Sequence, residues 1–140
     1  MENKDTNVEY IVADYSTHEF TSSFDLVISS LSIHHLTDDS KRQLFSTIHQ
    51  VLSHGGVFVN ADQVKANTSN IDAYYLKRWL ESIKQSGLGQ EEIDASIERR
   101  KLDINAKLED QISWLEQACF VDVDCMYKNL DFAVFFGRKA

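Results

Sequence analysis

The 140-residue chain contains no proline, only five glycines and only two cysteines. Without proline, breaks between secondary-structure elements have to be marked by glycine and by polar clusters. Cys119 and Cys125 do not form a CxxC pair, and residues 1–7 are polar rather than basic and apolar, which predicts reduced thiols in a cytoplasmic protein. No apolar run approaches the roughly 18 residues expected of a membrane-spanning helix. This composition argues against a disulfide-stapled secreted scaffold and against a membrane protein.

Positive charge is also scarce, with 14 basic against 22 acidic residues and a net charge of -8. An acidic protein is poorly suited to binding a phosphate backbone, so nucleic acid is a disfavoured partner. The densest basic stretch, Arg99 to Lys101, is flanked by Glu98 and Asp103. We interpret this stretch as a solvated helix face.

Hydrophobic periodicity divides the chain into alternating strands and helices. Short apolar runs predict strands at residues 8–13, 24–30, 57–61, 120–127 and 132–137. Spacings of three and four predict helices at residues 38–52, 71–87, 90–101 and 108–118. Thr37 is the expected N-cap of the first helix, and Gly55-Gly56 is expected to terminate it through a left-handed residue.

This order of elements predicts a single α/β domain with a largely parallel sheet, because parallel neighbours need a long crossover between them. The last two strands are separated by too few residues for a crossover, so they should form an antiparallel hairpin. The helices within about residues 66–104 are interpreted as an insertion rather than a sheet crossover.

Four segments match, in order, the motifs of one enzyme family. They are VEYIVADYS (residues 8–16), FDLVISSLSIHHL (24–36), LSHGGVFVNAD (52–62) and LEQACFVDVD (115–124). Together they resemble the class I S-adenosylmethionine-dependent methyltransferases, whose seven strands lie in the order 3-2-1-4-5-7-6 with strand 7 antiparallel. Two positions depart from the family pattern: His54 stands where proline is usual, and Cys119 where glycine is usual.

The resemblance implies a Rossmann-like fold in which the predicted strands are strands 3, 4, 5, 6 and 7. In this family a glycine-rich turn after strand 1 holds the methionine end of the cofactor, and an acidic residue after strand 2 holds the ribose. The first glycine of this chain is Gly55, downstream of the predicted strand 4. We therefore expect an N-terminally truncated domain that binds S-adenosylmethionine weakly or not at all.

The resemblance also implies the cofactor-binding residues. Asp14 and Tyr15 stand where the family contacts adenine. Ser30, Leu31 and Ser32 follow strand 4 at the carboxyl edge of the sheet, where open parallel sheets bind their ligands. Each position also has a purely structural interpretation, as a strand end or an ordinary loop.

On the substrate side, the expected residues are His35, Asp62 and Trp79. Because His34 and His35 are adjacent, they could act as metal ligands, or one of them could act as a general base. Neighbouring residues of a helix do not share a face, and no third ligand with suitable spacing is visible, so no metal is predicted. No catalytic residue is assigned, because methyl transfer to a good nucleophile often needs only alignment.

The resemblance thus predicts a methyltransferase acting on a small molecule or nucleobase. The alternative is a non-catalytic interaction module that pairs through its open sheet. A sheet without its inner strands leaves an apolar edge, so a homodimer or higher assembly is expected in either case.

Overall fold

The computed structural model describes residues 7–140. The elements are β1 (Phe24–Ser30), α1 (Asp38–Val51), β2 (Leu52–Gln63), α2 (Ser69–Lys84), α3 (Gln90–Arg100), α4 (Leu108–Gln117), β3 (Phe120–Asn129) and β4 (Phe132–Lys139). A single 3-10 turn, Ile33–His35, follows β1. No helix in this part of the chain is long and apolar enough to cross a membrane.

The four strands form one sheet in the order β1-β2-β4-β3. β1 and β2 are parallel, whereas β4 runs antiparallel to both β2 and β3. This is the order 4-5-7-6 that the family resemblance implies, with the antiparallel strand in the predicted place. The α/β fold and the terminal hairpin are therefore confirmed.

One face of the sheet carries the core. Alternate residues of β2 and β4 are buried, as expected when one face of a strand packs and the other does not. α1 and α4 cover this face, and Phe45 of α1 packs against Phe58 of β2 with ring centroids 5.9 Å apart. The core fixes β1 and β2 side by side, which sets the position of their carboxyl ends.

The first helix begins as predicted and ends differently. The Thr37 hydroxyl accepts a hydrogen bond from the Ser40 amide, which is the expected N-cap. The helix ends at Val51, and Leu52 already has an extended backbone. Gly55 does adopt a left-handed conformation (φ +78°), but it lies inside β2, at an irregularity where the pairing jumps from Leu52 to Val57. The glycine pair therefore shapes a strand and not a helix end.

The predicted strand at residues 8–13 is not formed. Its apolar side chains are exposed, with Tyr10 at 90% and Ile11 at 60%. β-branched and aromatic residues favour a strand only where a neighbouring strand supplies hydrogen bonds and a packing surface. Among residues 7–140 no strand pairs with this segment, and none covers the outer edge of β1.

α2 and α3 occupy the positions predicted for the two helices within residues 66–104. Their interpretation as an insertion stays a prediction. The segment after α3 returns to the sheet, where the Ile104 amide donates to the His34 carbonyl at 2.9 Å. Residues far apart in sequence are thereby brought to the carboxyl ends of β1 and β2.

Candidate functional site

The candidate site lies where the parallel strands β1 and β2 end. Open parallel sheets place their ligands at this edge because the loops that follow neighbouring strands converge there. Here the converging parts are the 3-10 turn after β1, which carries His34 and His35, and the end of β2, which carries Asp62.

His34 and Asp62 form a buried pair, with side chains 4% and 1% exposed. His34 Nδ1 lies 2.5 Å from Asp62 Oδ1, and the His34 main-chain amide donates to Asp62 Oδ2 at 2.9 Å. The Gln63 amide donates to Asp62 Oδ1 at 3.0 Å. A buried carboxylate is stable only when hydrogen bonds replace its hydration, and these three contacts do so. The pair fixes the orientation of the His34 ring.

A second carboxylate, that of Asp103, reaches both histidines. Its Oδ1 lies 3.5 Å from His34 Nε2 and 3.3 Å from His35 Nδ1, and its side chain is 7% exposed. The buried Lys41 holds this loop to α1, because its Nζ donates to Asp38 at 3.0 Å and also to the Ile104 carbonyl. The third group beside the two histidines, which no sequence spacing indicates, is therefore Asp103. Asp103 follows α3, and no spacing rule links it to residues 34 and 35.

A cavity of about 310 Å³ opens beside these histidines. Its lining includes Leu31, His35, Gln63, Trp79, Arg100 and Asp103. A larger neighbouring cavity of about 530 Å³ shares Trp79, Arg100 and Asp103 with it. The two cavities form a space between the edge of the sheet and the helices α2 and α3.

Trp79 and Arg100 form one wall of this space. The Arg100 guanidinium lies 4.5 Å from the centroid of the Trp79 ring and donates to Asp131 at 2.5 Å. Its side chain is only 17% exposed. The interpretation of Arg99 to Lys101 as a solvated helix face is therefore wrong for Arg100, although Lys101 is exposed and pairs with Glu98.

The predicted substrate-side residues separate into two groups. His35, whose side chain is 56% exposed, and Trp79 both line the cavity. Asp62 lies behind His34, with its carboxylate occupied by the three donors described above. The Asp62 carboxylate therefore orients the His34 ring, and its contact with a substrate stays a prediction.

On the cofactor side, Asp14 is exposed, and its Oδ1 accepts from the hydroxyl and the amide of Ser16 at 2.6 and 2.9 Å. These two hydrogen bonds, the hydroxyl first, lower the pKa of the Asp14 carboxyl. Tyr15 is tied to the turn after β1: its hydroxyl donates to the Ser32 carbonyl at 3.1 Å and lies 2.8 Å from the Ser32 hydroxyl. Two of the predicted cofactor-side residues, Tyr15 and Ser32, are thus brought together.

Tyr15, Ser30 and Ser32 line a third cavity of about 540 Å³, which is otherwise mainly apolar. Leu31, between the two serines, does not line it. Leu31 has a left-handed backbone (φ +49°), its amide donates to the Ala61 carbonyl at 2.9 Å, and its side chain borders the His35 cavity instead. One short turn therefore separates the two spaces.

These residues fit only part of S-adenosylmethionine. Tyr15 lines the apolar cavity, and the carboxylate of the preceding residue Asp14, which lies outside that lining, can accept hydrogen bonds from an adenine amino group. The methionine end requires close backbone approach at a glycine turn. Every glycine among residues 7–140 lies in β2 or beyond it. The described residues therefore fit the adenine end and not the methionine end.

Comparison with known proteins shows which proteins this chain is similar to. The methyltransferase domain family matches residues 1–60. An uncharacterized methyltransferase of Bacillus thuringiensis (strain Al Hakam) is 36% identical over 77 residues, which are 55% of this chain and 34% of the relative. A relative from Bacillus cereus (strain 03BB102) matches to the same extent. The chain thus spans about a third of the length of these relatives.

Solved structures share the fold. The S-adenosylmethionine-dependent methyltransferase SibL, in its apo form, superimposes with a TM-score of 0.64 and 16% identity over 92% of this chain and 35% of its own. Human N-acetylserotonin methyltransferase, in complex with SAM, gives a TM-score of 0.62 and 13% identity over 99% of this chain and 36% of its own. The resemblance of this chain to the class I S-adenosylmethionine-dependent methyltransferases, predicted from four sequence segments, is thereby confirmed.

Proposed function

We propose that this chain serves S-adenosylmethionine-dependent methyl transfer to a small molecule or nucleobase bound beside His35 and Trp79. The observation that carries the proposal is the turn at residues 30–35. Ser30 and Ser32 line the cavity beside Tyr15, whereas Leu31, His34 and His35 line the cavity beside Trp79. A cofactor on one side of this turn and an acceptor on the other would meet at the carboxyl edge of the sheet.

The cofactor supplies an electrophilic methyl group on a sulfonium. Asp14 and Tyr15 would hold its adenine, with Ser30 and Ser32 bordering it, and the backbone of Leu31 would join them while its side chain faces the acceptor side of the turn. We assign no catalytic residue, because positioning alone provides much of the rate when the acceptor is a good nucleophile.

His35 and Trp79 are the residues proposed to contact the acceptor. The Trp79 ring offers a flat apolar surface, and Arg100 stacked on it limits its movement. An aromatic or heterocyclic acceptor would bury apolar area against this wall while the polar edge of His35 orients it.

We also propose that these 140 residues bind the cofactor weakly by themselves, because the described residues would contact only its adenine end. The two free cysteines, Cys119 and Cys125, support a reducing, cytoplasmic setting, which remains our proposal.

The test is an NMR titration of the ¹⁵N-labelled chain with S-adenosylhomocysteine at millimolar concentration. The expected result is a set of shifts confined to the amides of residues 14–16 and 30–32. Asp14→Ala should reduce the shifts at a given concentration, and Asp39→Ala, on the exposed start of α1, should not. Shifts spread over the surface, or an Asp14→Ala titration identical to that of Asp39→Ala, would overturn the proposal.

A second candidate function, a non-catalytic interaction module, is favoured by the outer edge of β1. Leu26 and Ile28 are exposed there, Ile28 at 66%, and residues 8–13 leave the edge uncovered. We propose that a second copy of the chain covers this edge, since an exposed apolar edge strand is a template for pairing with another chain. Leu26 and Ile28 also line the cavity beside Tyr15, so this pairing would compete with adenine binding there.

Light scattering at micromolar concentration tests the pairing. The chain mass is 16.1 kDa, so a species of about twice that mass is expected. Ile28→Lys should convert it to a monomer, whereas Leu102→Lys, an exposed site away from the edge, should not. A wild-type monomer would contradict the proposed dimer.

A further inference from the structure

We propose that His34, His35 and Asp103 bind a divalent transition-metal ion of the zinc class at the wall of the His35 cavity. One ligand atom from each residue lies within 4.8 Å of the other two. Imidazole nitrogens with a carboxylate oxygen are a donor set that suits zinc and its neighbours in the first transition series.

The distances fit a small ion with tetrahedral geometry. Metal-ligand bonds of about 2.0–2.1 Å place two tetrahedral ligand atoms about 3.3–3.4 Å apart. Asp103 Oδ1 is 3.3 Å from His35 Nδ1 and 3.5 Å from His34 Nε2. Two of the three edges of the coordination triangle are therefore already close to their final length. The His35 ring is half-exposed, so it can adjust to complete the third edge.

The surroundings orient the proposed ligands. Asp62 holds His34 through Nδ1, which leaves Nε2 as the nitrogen that faces Asp103. A carboxylate behind the imidazole is the usual support of a metal-binding histidine. The Ile104 amide bonded to the His34 carbonyl, together with the buried Lys41, fixes the loop that carries Asp103. Both carboxylates are buried and balance the charge of a divalent cation.

Three protein ligands leave one coordination position open, which is the pattern of catalytic rather than structural zinc. The same residues line the cavity beside Trp79, so the open position would face the space proposed for the acceptor. A role for the ion in orienting an acceptor oxygen rests on the proposed function, whereas binding of the ion rests on these residues alone.

The competing explanation is that hydrogen bonds alone hold the three side chains together, with each histidine ring donating one to the Asp103 carboxylate. Titration of the metal-free chain with Co²⁺ separates the two, because tetrahedral cobalt absorbs visible light far more strongly than hydrated cobalt. We expect one equivalent of strongly absorbing cobalt, displaced by Zn²⁺, with a micromolar or tighter dissociation constant for zinc.

Variants assign the ligands. His35→Gln and Asp103→Asn should each weaken zinc binding at least tenfold, and Asp62→Asn should weaken it about 10- to 100-fold by loosening His34. His54→Gln and Asp94→Asn, both at exposed positions, are the matched controls and should leave it unchanged. Circular dichroism of each variant without metal checks that the fold is kept.

The proposal is overturned if wild type gives no tetrahedral cobalt spectrum, or if His35→Gln binds zinc as tightly as His54→Gln. No cofactor is present in this titration. Failure to bind metal therefore leaves the proposed methyl transfer untouched, and failure of S-adenosylhomocysteine binding leaves the metal site untouched.

Discussion

The carboxylate of Asp62 accepts two hydrogen bonds from a single residue, His34, one from its main-chain amide at 2.9 Å and one from ring Nδ1 at 2.5 Å. Asp62 lies on β2, and His34 lies in the turn after β1. This pair therefore joins the carboxyl ends of two parallel strands and sets the ring that faces Asp103. Its position explains why a polar pair is kept in a buried setting at the edge of an apolar core.

Asp62→Ala should lower the free energy of unfolding by about 2–4 kcal/mol, because it leaves two buried donors of His34 without an acceptor. Asp94→Ala, at an exposed position of α3, should change it by less than about 0.5 kcal/mol. Urea unfolding followed by circular dichroism measures both. Equal effects of the two substitutions would show that the His34 contacts contribute nothing to stability.

Cys119 occupies a position where the resembling family has glycine, and its backbone is left-handed (φ +70°). A side chain in this conformation costs about 1 kcal/mol or more, which a glycine avoids. Cys119→Gly should therefore raise the free energy of unfolding by about 0.5–1 kcal/mol. Ala118→Gly, at a neighbour with φ −77°, should lower it instead. Urea unfolding midpoints of both variants and wild type, measured in reducing buffer, test whether the backbone at Cys119 is strained. A lower midpoint for Cys119→Gly than for wild type would exclude strain.

Stability should also depend on pH through His49 of α1. Burial, and then the charge of Lys139, lower the pKa of His49, and a hydrogen bond with the Cys119 backbone opposes them. In the folded state the ring therefore takes up a proton less readily than in the unfolded chain, whose pKa is near 6.5. The contribution is fully present above about pH 6.5 and is lost as the pH falls through the lowered pKa.

Comparison of His49→Gln with wild type isolates this contribution. Urea unfolding at a series of pH values should show a smaller loss of stability on acidification in the variant, whereas the exposed His54→Gln should keep the wild-type slope. Parallel curves for wild type and His49→Gln would mean that His49 titrates alike in both states.

Much of the fold followed from local patterns. The spacing of Leu44, Phe45 and Ile48 predicted α1, and these three side chains are buried in the core. The short link between the last two strands predicted their hairpin. Such features depend on residues close together in sequence, so periodicity and loop length are sufficient to find them.

Features that depend on distant partners were missed. Residues 8–13 have the composition of a strand, but composition does not supply the neighbour that a strand needs. Asp103 reaches the two histidines through a loop fixed by Ile104 and Lys41, and no spacing along the chain indicates that contact. His35 and Trp79 were predicted only as substrate-side residues. That they line one cavity, and that Asp62 is buried behind His34, emerged only from the three-dimensional structure.

The central claim is that these residues provide the adenine and acceptor sides of a methyltransferase site without the contacts to the methionine end of the cofactor. Calorimetric titration of S-adenosylhomocysteine into the 140-residue chain tests this claim most directly. Losing those contacts forfeits several kcal/mol, and each loss of about 1.4 kcal/mol weakens binding tenfold. The predicted dissociation constant is therefore in the millimolar range or weaker. A low-micromolar dissociation constant would contradict the claim, because it would require the described residues to hold the whole cofactor.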